Sequence, residues 1–287
     1  MMKSNLKSMK LEEKIGQKMN KSNQSKRNPI YGAIFGDIVG SRFQMNPIKT
    51  KNFFLITKES HITDDTIMTL AIERAIIAAK KDISLLSEYA IKHMRFSYLL
   101  YPMMDYGTLF KEWLISKNPQ PYQSYGNGGA MRVSACGVYF DTLEESLLAA
   151  KAVTTVTHDH EEGLKAALAT TEAIYLARMG HSKEHIQKAM EKYYDISQSL
   201  DDLRKDYTFD ASATYTMIGV LTSFFESKSF LDAIRNAVSL GGDSDTLAAI
   251  TGSIAASYYG LSQRVIDRVS EYISFELNPR KRGKLWK

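Results

Sequence analysis

Two short runs combine carboxylates with hydroxyls at the head of apolar stretches: Ile62-Thr63-Asp64-Asp65-Thr66 and Leu240-Gly241-Gly242-Asp243-Ser244-Asp245-Thr246. Carboxylate and threonine oxygens are hard ligands, suited to magnesium or manganese and poorly suited to zinc or copper. Either run alone also reads as ordinary helix capping. Thr63 and Ser244 or Asp245 are good N-caps, and acids in a first turn gain roughly 0.3–1 kcal/mol from the helix dipole. Capping needs one side-chain oxygen, however, whereas each run stacks several within a turn, where like charges repel unless a cation sits between them. Gly241 and Gly242 allow unusual backbone angles or a close approach just ahead of the second run. The pair predicts a split site for divalent cations.

A third run, Ser124-Tyr125-Gly126-Asn127-Gly128-Gly129-Ala130-Met131-Arg132, concentrates glycine and exposes backbone N–H groups. The Ala130–Val138 segment after it predicts a helix start that attracts anions, although a glycine-rich loop by itself is most often a turn. His158 and His160 are two residues apart, which is not a same-face helical spacing, so they do not read as joint ligands of one metal. On its own, His158 ahead of an apolar helix reads as a cap or a core residue. His61, His93, His181 and His185 read as surface residues.

The elements that must position these runs are helices. Thr66–Lys80, Gly163–Met179 and Thr246–Tyr259 carry alanine, leucine and isoleucine at helical spacing. No stretch sustains period-two alternation with hairpin turns, so strands are expected to be few. The fold class predicted is all-α, a compact single-domain multi-helix arrangement. Gly40–Ser60, Pro119–Gly129 and Leu200–Asp210 read as irregular.

Composition bounds the rest. A chain of 287 residues at 44% hydrophobic can bury a substantial core, and a single cysteine excludes an intramolecular disulfide. A reducing, cytoplasmic setting is the default, and with no apolar run of about 18 residues or signal-like segment no membrane span is expected. The net charge of +5 is misleading as a guide to partners. Residues 1–28 hold eight Lys/Arg and two Glu, and residues 280–287 hold five basic residues and no acid, leaving 24 basic against 30 acidic residues in 29–279. The body is acidic and the basicity sits in the tails, which argues against nucleic-acid binding. The division expected is a basic, disordered extension over 1–28, a body over 29–279 beginning at Asn28-Pro29, and a basic tail over 280–287. Within the extension Leu11, Ile15 and Met19 share one helical face, so a short amphipathic helix is the competing reading.

Gly36-Asp37-Ile38-Val39-Gly40-Ser41, Thr63-Asp64-Asp65-Thr66, Tyr125-Gly126-Asn127-Gly128 with Ala130-Met131-Arg132, Thr157-His158, and Gly241-Gly242-Asp243-Ser244-Asp245-Thr246 occur in that order. Together they resemble the ADP-ribosylglycohydrolase family, also called the dinitrogenase reductase-activating glycohydrolase family, from about Ile30 to about Leu261. The resemblance implies a compact all-α enzyme with two Mg²⁺ or Mn²⁺ ions, hydrolysing the glycosidic bond between ADP-ribose and a protein side chain or another acceptor. It implies Thr63, Asp64, Asp65, Asp243, Asp245 and Thr246 as metal ligands. The loop Ser124, Tyr125, Gly126, Asn127 and Gly128 would hold the diphosphate and distal part of ADP-ribose, with His158 lining the same cleft. One of Asp64, Asp65, Asp243 and Asp245 would serve as base to the attacking water, and sequence does not separate base from ligand. Asp37 reads either as a second layer behind the metals or as a helix aspartate satisfying backbone.

Two departures stand out against that family. Many relatives have a glutamate shortly after Gly-Ser, where this chain has Gln44, which neither accepts a proton nor carries charge. Where bacterial relatives often have a cysteine and a Val-Pro, this chain reads Ser212-Ala213-Thr214-Tyr215-Thr216-Met217-Ile218. Two competing readings follow. One is a catalytically weakened ADP-ribose-binding protein, of an immunity type, whose N-terminal arm engages an ADP-ribosylating toxin. The other is a metal-dependent phosphoester hydrolase outside the family.

Overall fold

Gly32, Gly36 and Gly40 recur every fourth residue, which puts them on one face of α1 (Pro29–Gly40). That face lies directly on α13 (Ser244–Tyr259): a Cβ at Gly32, Gly36 or Gly40 would strike the backbone carbonyl of Gly252, Ala248 or Ser244 respectively. Without side chains between them the two helices meet backbone to backbone, and their burial is nearly complete. α13 is buried from Ser244 to Ser257, as expected of a helix apolar or small all round.

The computed structural model describes residues 26–276. The expectations for the arm (disorder, or the Leu11-Ile15-Met19 helix) and for the 280–287 tail therefore fall outside the described residues, apart from the last few positions of 1–28. There, Asn28 caps α1 by accepting from Ile30 N and Tyr31 N at 3.0 and 3.1 Å, with Pro29 opening the helix. Lys26 O accepts from Leu261 N at 2.7 Å, which fastens the chain to the far end of α13.

Around this pair the remaining helices form one continuous core. α2 (Asp64–Ala78) packs on α3 (Leu86–Leu100), followed by α4 (Thr108–Ile115) and the four-residue turns α5 (Gly128–Met131) and α6 (Cys136–Tyr139). α7 (Leu143–Thr154) pairs with α8 (Glu161–Arg178), then come α9 (Lys183–Met190) and α10 (Leu200–Asp206). α11 (Ala213–Phe225) and α12 (Phe230–Val238) flank α13, and α14 (Gln263–Glu276) closes on α1. Among the described residues the β contacts amount to an isolated antiparallel bridge, Gly126 with Ser212. The all-α fold follows from the sequence as expected. No helix of the described residues is long and apolar enough to cross a membrane.

Two local expectations need correction. Ala130–Val138 is not one helix: α5 ends at Met131, a 3₁₀ turn spans Val133–Ala135, and α6 restarts at Cys136. A four-residue helix has no dipole of consequence, so anion attraction there cannot rest on a helix terminus. Leu200–Asp210 is not wholly irregular either. Leu200–Asp206 is helical, capped by Ser199 Oγ accepting from Asp202 N at 3.2 Å.

Candidate active site

The two acidic runs meet because α1 stands between them. Asp37, fully buried in α1, accepts from Thr63 N at 2.9 Å, from Thr63 Oγ1 at 2.7 Å, from Thr66 N at 3.2 Å and from the Thr66 hydroxyl. One carboxylate thus holds the first turn of α2 in place, and the glycine face of the same helix holds the first turn of α13. Burial raises the Asp37 carboxyl, opposed by these four bonds. Asp37 thus satisfies backbone, one of the two readings offered for it, and that backbone carries Asp64 and Asp65.

Asp64, Asp65, Asp243, Asp245 and Thr246 line one wall of an open cleft of about 380 Å³, with Gln44 beside them. Thr63 lies behind the wall. Its oxygen caps α2 by accepting from Asp65 N at 3.2 Å while its proton goes to Asp37, leaving one lone pair. Asp243 occupies the N-cap position of α13 yet makes no capping bond. Its carboxylate instead accepts from Asn127 Nδ2 at 2.8 Å and from Gln44 Nε2 at 3.4 Å. Gly241 takes φ of +72°, and a Cβ on Gly242 would crowd the Tyr207 ring and Thr208 O, so the glycine pair supplies both the angle and the close approach.

Electrostatics on this wall are those of acids forced together. Burial first, then Asp37 and Asp243, push Asp64 up to about 8. Asp65 is raised well above the carboxylate range by burial and by Asp37, Asp64 and Asp243. Asp245 is raised likewise, by burial and then by Asp243 and Asp65. Among the described residues no group of three or more His, Cys, Asp or Glu side chains already stands in an arrangement that holds a metal ion. The donor set nonetheless fits a hard cation. Asp65 Oδ1 and Asp245 Oδ1 are buried without a hydrogen-bond partner, and Thr246 Oγ1 gives its proton to Asp65 Oδ2 at 3.1 Å, keeping its lone pairs.

The opposite wall is built differently. The loop from Tyr122 to Asn127 is pinned on one side by Tyr122 N to Thr157 O at 3.3 Å and Gln123 N to Asp159 Oδ1 at 2.7 Å. On the other side Asn127 N donates to Ala211 O and Ala213 N donates to Tyr125 O, both at 2.8 Å. Ser124, Gly126, Asn127, Gly128 and His158 line the cleft, whereas Tyr125 is 61% exposed outside its lining. Asn127 Nδ2 also reaches Thr216 Oγ1 at 3.0 Å, so the divergent segment beginning at Ser212 holds this loop. His160, not His158, is the cap of α8, accepting from Glu162 N at 3.2 Å. His158 is buried, and burial together with the nearby Arg132 holds its pKa well below the usual value.

Several lining residues had no motif to announce them. Asp105, Gly107, Thr108, Leu109 and Phe110 come from the turn before α4 and its first residues, and Phe209 and Ala211 from the turn before α11. Tyr122 and Arg132 belonged to runs already singled out, but their side-chain positions follow only from the fold.

A helical body with an acidic wall facing a glycine-loop wall across one cleft has the layout of an enzyme's substrate cleft. The chain belongs to the ADP-ribosylglycohydrolase family, whose model matches residues 25–275. It is accordingly a hydrolase acting on glycosyl bonds. It is 25% identical to human ADP-ribosylhydrolase ARH3, with 83% of this chain and 86% of that protein covered. It is 26% identical to the ADP-ribosyl-[dinitrogen reductase] glycohydrolase of Rhodospirillum rubrum, over 78% of this chain and 77% of that one. The fold is also similar to a solved ADP-ribosylglycohydrolase-related protein complex, with a TM-score of 0.62 at 20% identity, covering 87% of this chain and 95% of that chain.

Proposed function

We propose that this protein uses two divalent cations, Mg²⁺ or Mn²⁺, to hydrolyse the glycosidic bond between ADP-ribose and a modified acceptor, reversing ADP-ribosylation in the cytoplasm. The observation that carries the reading is the convergence of two acidic helix starts on one cleft, each contributing a buried carboxylate oxygen without a partner, Asp65 Oδ1 and Asp245 Oδ1. Asp64, Asp65, Asp243, Asp245 and Thr246 would hold the ions, with Thr63 reaching them only through its remaining lone pair. Bound by these residues, the cations would supply positive charge for the ribose diol and would lower the pKa of the attacking water.

The chain's own residues do the rest. Asp37 fixes the two Asp64 and Asp65 carboxylates by holding their helix start. Asn127 ties the glycine loop to Asp243, so a substrate spanning the cleft meets both walls in a set register. Whichever of the four aspartates keeps a carboxylate free of the ions takes the proton from the attacking water. The test is incubation with ADP-ribosylated arginine, serine and DNA in the presence of Mg²⁺ or Mn²⁺, followed by mass analysis. Free ADP-ribose is the expected product, and release of inorganic phosphate alone would replace this reading with a phosphoester hydrolase.

One specific observation favours a second reading. Gln44 Nε2 sits in the cleft and donates to Asp243 Oδ1. An amide there adds no charge to a cation site and accepts no proton. A slow or inactive ADP-ribose binder, of an immunity type and engaging a toxin through its N-terminal arm, would show tight ADP-ribose binding without turnover.

A further inference from the structure

Within the glycine-loop wall sits a buried cation with no acid beside it. Arg132 is 1% exposed, and its guanidinium donates from Nη2 to Thr157 Oγ1 at 2.6 Å and to Val153 O at 3.3 Å. Nε has no hydrogen-bond partner, and no carboxylate forms an ion pair with this arginine among the described residues. A buried guanidinium without an ion pair is costly, and what faces it here is the Phe110 ring at 5.7 Å and the two oxygen acceptors. Thr157 Oγ1 in turn lies 2.7 Å from His158 Nδ1.

Proton counting along this chain leaves two arrangements. Arginine donates only, so Thr157 Oγ1 must accept from it. The single hydroxyl proton then goes either to His158 Nδ1 at 2.7 Å or to Thr154 O at 3.3 Å. The 2.7 Å contact is a hydrogen bond in either arrangement, so the choice falls on the hydroxyl proton. Thr154 O lies beyond the usual O–H···O distance and already accepts from Thr157 N and His158 N at 3.1 and 2.9 Å, and a hydroxyl that accepts from a cation is polarised toward donating to the nearer acceptor. Nδ1 therefore accepts, and the imidazole proton resides on Nε2. That nitrogen faces the glycine loop, where a Cβ on Gly128 would lie only 3.2 Å from it. The glycine at position 128 thus keeps a side chain from crowding Nε2.

We propose that Arg132, acting through Thr157, fixes His158 as the neutral tautomer protonated on Nε2, so that the ring donates a hydrogen bond to an anionic oxygen of the substrate. Arg132 and Thr157 are positioning residues in this scheme. The assignment rests on the ADP-ribose reading only for the identity of the anion.

The test begins with the full-length native protein, free of metal and substrate. Its ¹⁵N-labelled histidine spectrum should show His158, assigned by loss of its signals in His158→Gln, with a protonated Nε2 and an unprotonated Nδ1. A proton on Nδ1 overturns the proposal. The near-isosteric Thr157→Val should abolish the preference for that tautomer and weaken ADP-ribose binding by about twofold, as the fraction presenting a protonated Nε2 falls to about half, while Thr157→Ser restores both. Unchanged ADP-ribose affinity in a folded Thr157→Val overturns the proposed donation. Should the native protein carry the Nε2 proton yet bind no ADP-ribose, the hydrolase reading fails and the donation to its substrate falls with it.

Discussion

Asn127 and Asp243 are 116 residues apart and joined by a 2.8 Å hydrogen bond from Nδ2 to Oδ2. That bond couples the glycine loop to the second acidic run, and it is the shortest statement of how the cleft is assembled. An aspartate at the start of a helix would ordinarily cap it, and here the carboxylate is turned to the cleft instead.

Removing charge from either run should therefore cripple the site. Asp64→Asn and Asp243→Asn are each expected to weaken Mn²⁺ binding and to lower hydrolysis by at least about 10²-fold. Calorimetric titration of Mn²⁺ and a product assay check this. Full activity in either variant, or in excess chelator, would refute a shared cation site.

Gln44→Glu tests the position at which this chain departs from the glutamate of many relatives. With metal saturating, the variant should hydrolyse about tenfold faster, since it gains charge and a proton acceptor at almost constant volume. Without metal it should melt lower than the native protein, because its carboxylate would face Asp243 Oδ1, now the partner of the Gln44 amide. An unchanged rate alongside brisk native turnover would mean that Gln44 is no handicap.

Stability of the metal-free protein should fall as pH rises. The Asp64 carboxyl has an ordinary value of 3.8 and is pushed up to about 8 in the fold, so the folded state holds a proton that the unfolded chain has released. Its contribution is complete below 3.8 and disappears as pH climbs through about 8, and buried Asp65 and Asp245 act in the same direction. His158 works oppositely, its stabilisation being lost only as pH falls below its ordinary 6.5. Thermal melts between about pH 7 and 9 should show a decline without metal that Mg²⁺ or Mn²⁺ reverses, most strongly at the alkaline end.

Gly36→Ala is expected to destabilise by about 3 kcal/mol, with no change in metal ligands, because the methyl meets the Ala248 backbone and neither helix can yield alone. Denaturant unfolding measures this. Near-native stability would show that α1 and α13 separate more readily than their contact implies.

How much of this was legible beforehand depends on the kind of signal. Helices with apolar periodicity were: Thr66–Lys80, Gly163–Met179 and Thr246–Tyr259 match Asp64–Ala78, Glu161–Arg178 and Ser244–Tyr259 to within a turn. The polar Leu200–Asp206 helix was not, since it is held by the Ser199 cap and by ion pairs of Lys205 with Asp202 and Arg204 with Asp201 rather than by a stripe. The acidic wall could be anticipated because several oxygens in one turn are hard to explain otherwise. The rim at Asp105–Phe110 could not, because glycine, threonine and leucine in a turn carry no chemistry until a fold places them over a cleft. Arg132 is the instructive middle case, present in a recognised run but given its meaning by Thr157.

The backbone contact between α1 and α13 has a consequence for how this scaffold changes over time. Two helices with no side chains between them cannot slide past one another by small steps, so the acidic floor they carry behaves as a fixed anvil. The turn before α4 belongs to no such joint, a Cβ on its Gly107 meeting nothing within 4 Å, and it furnishes part of the opposing rim. On the proposed reaction, a new acceptor would be accommodated by rewriting that turn while the floor stays untouched, which would make selectivity and bond cleavage separately inherited traits of one molecule.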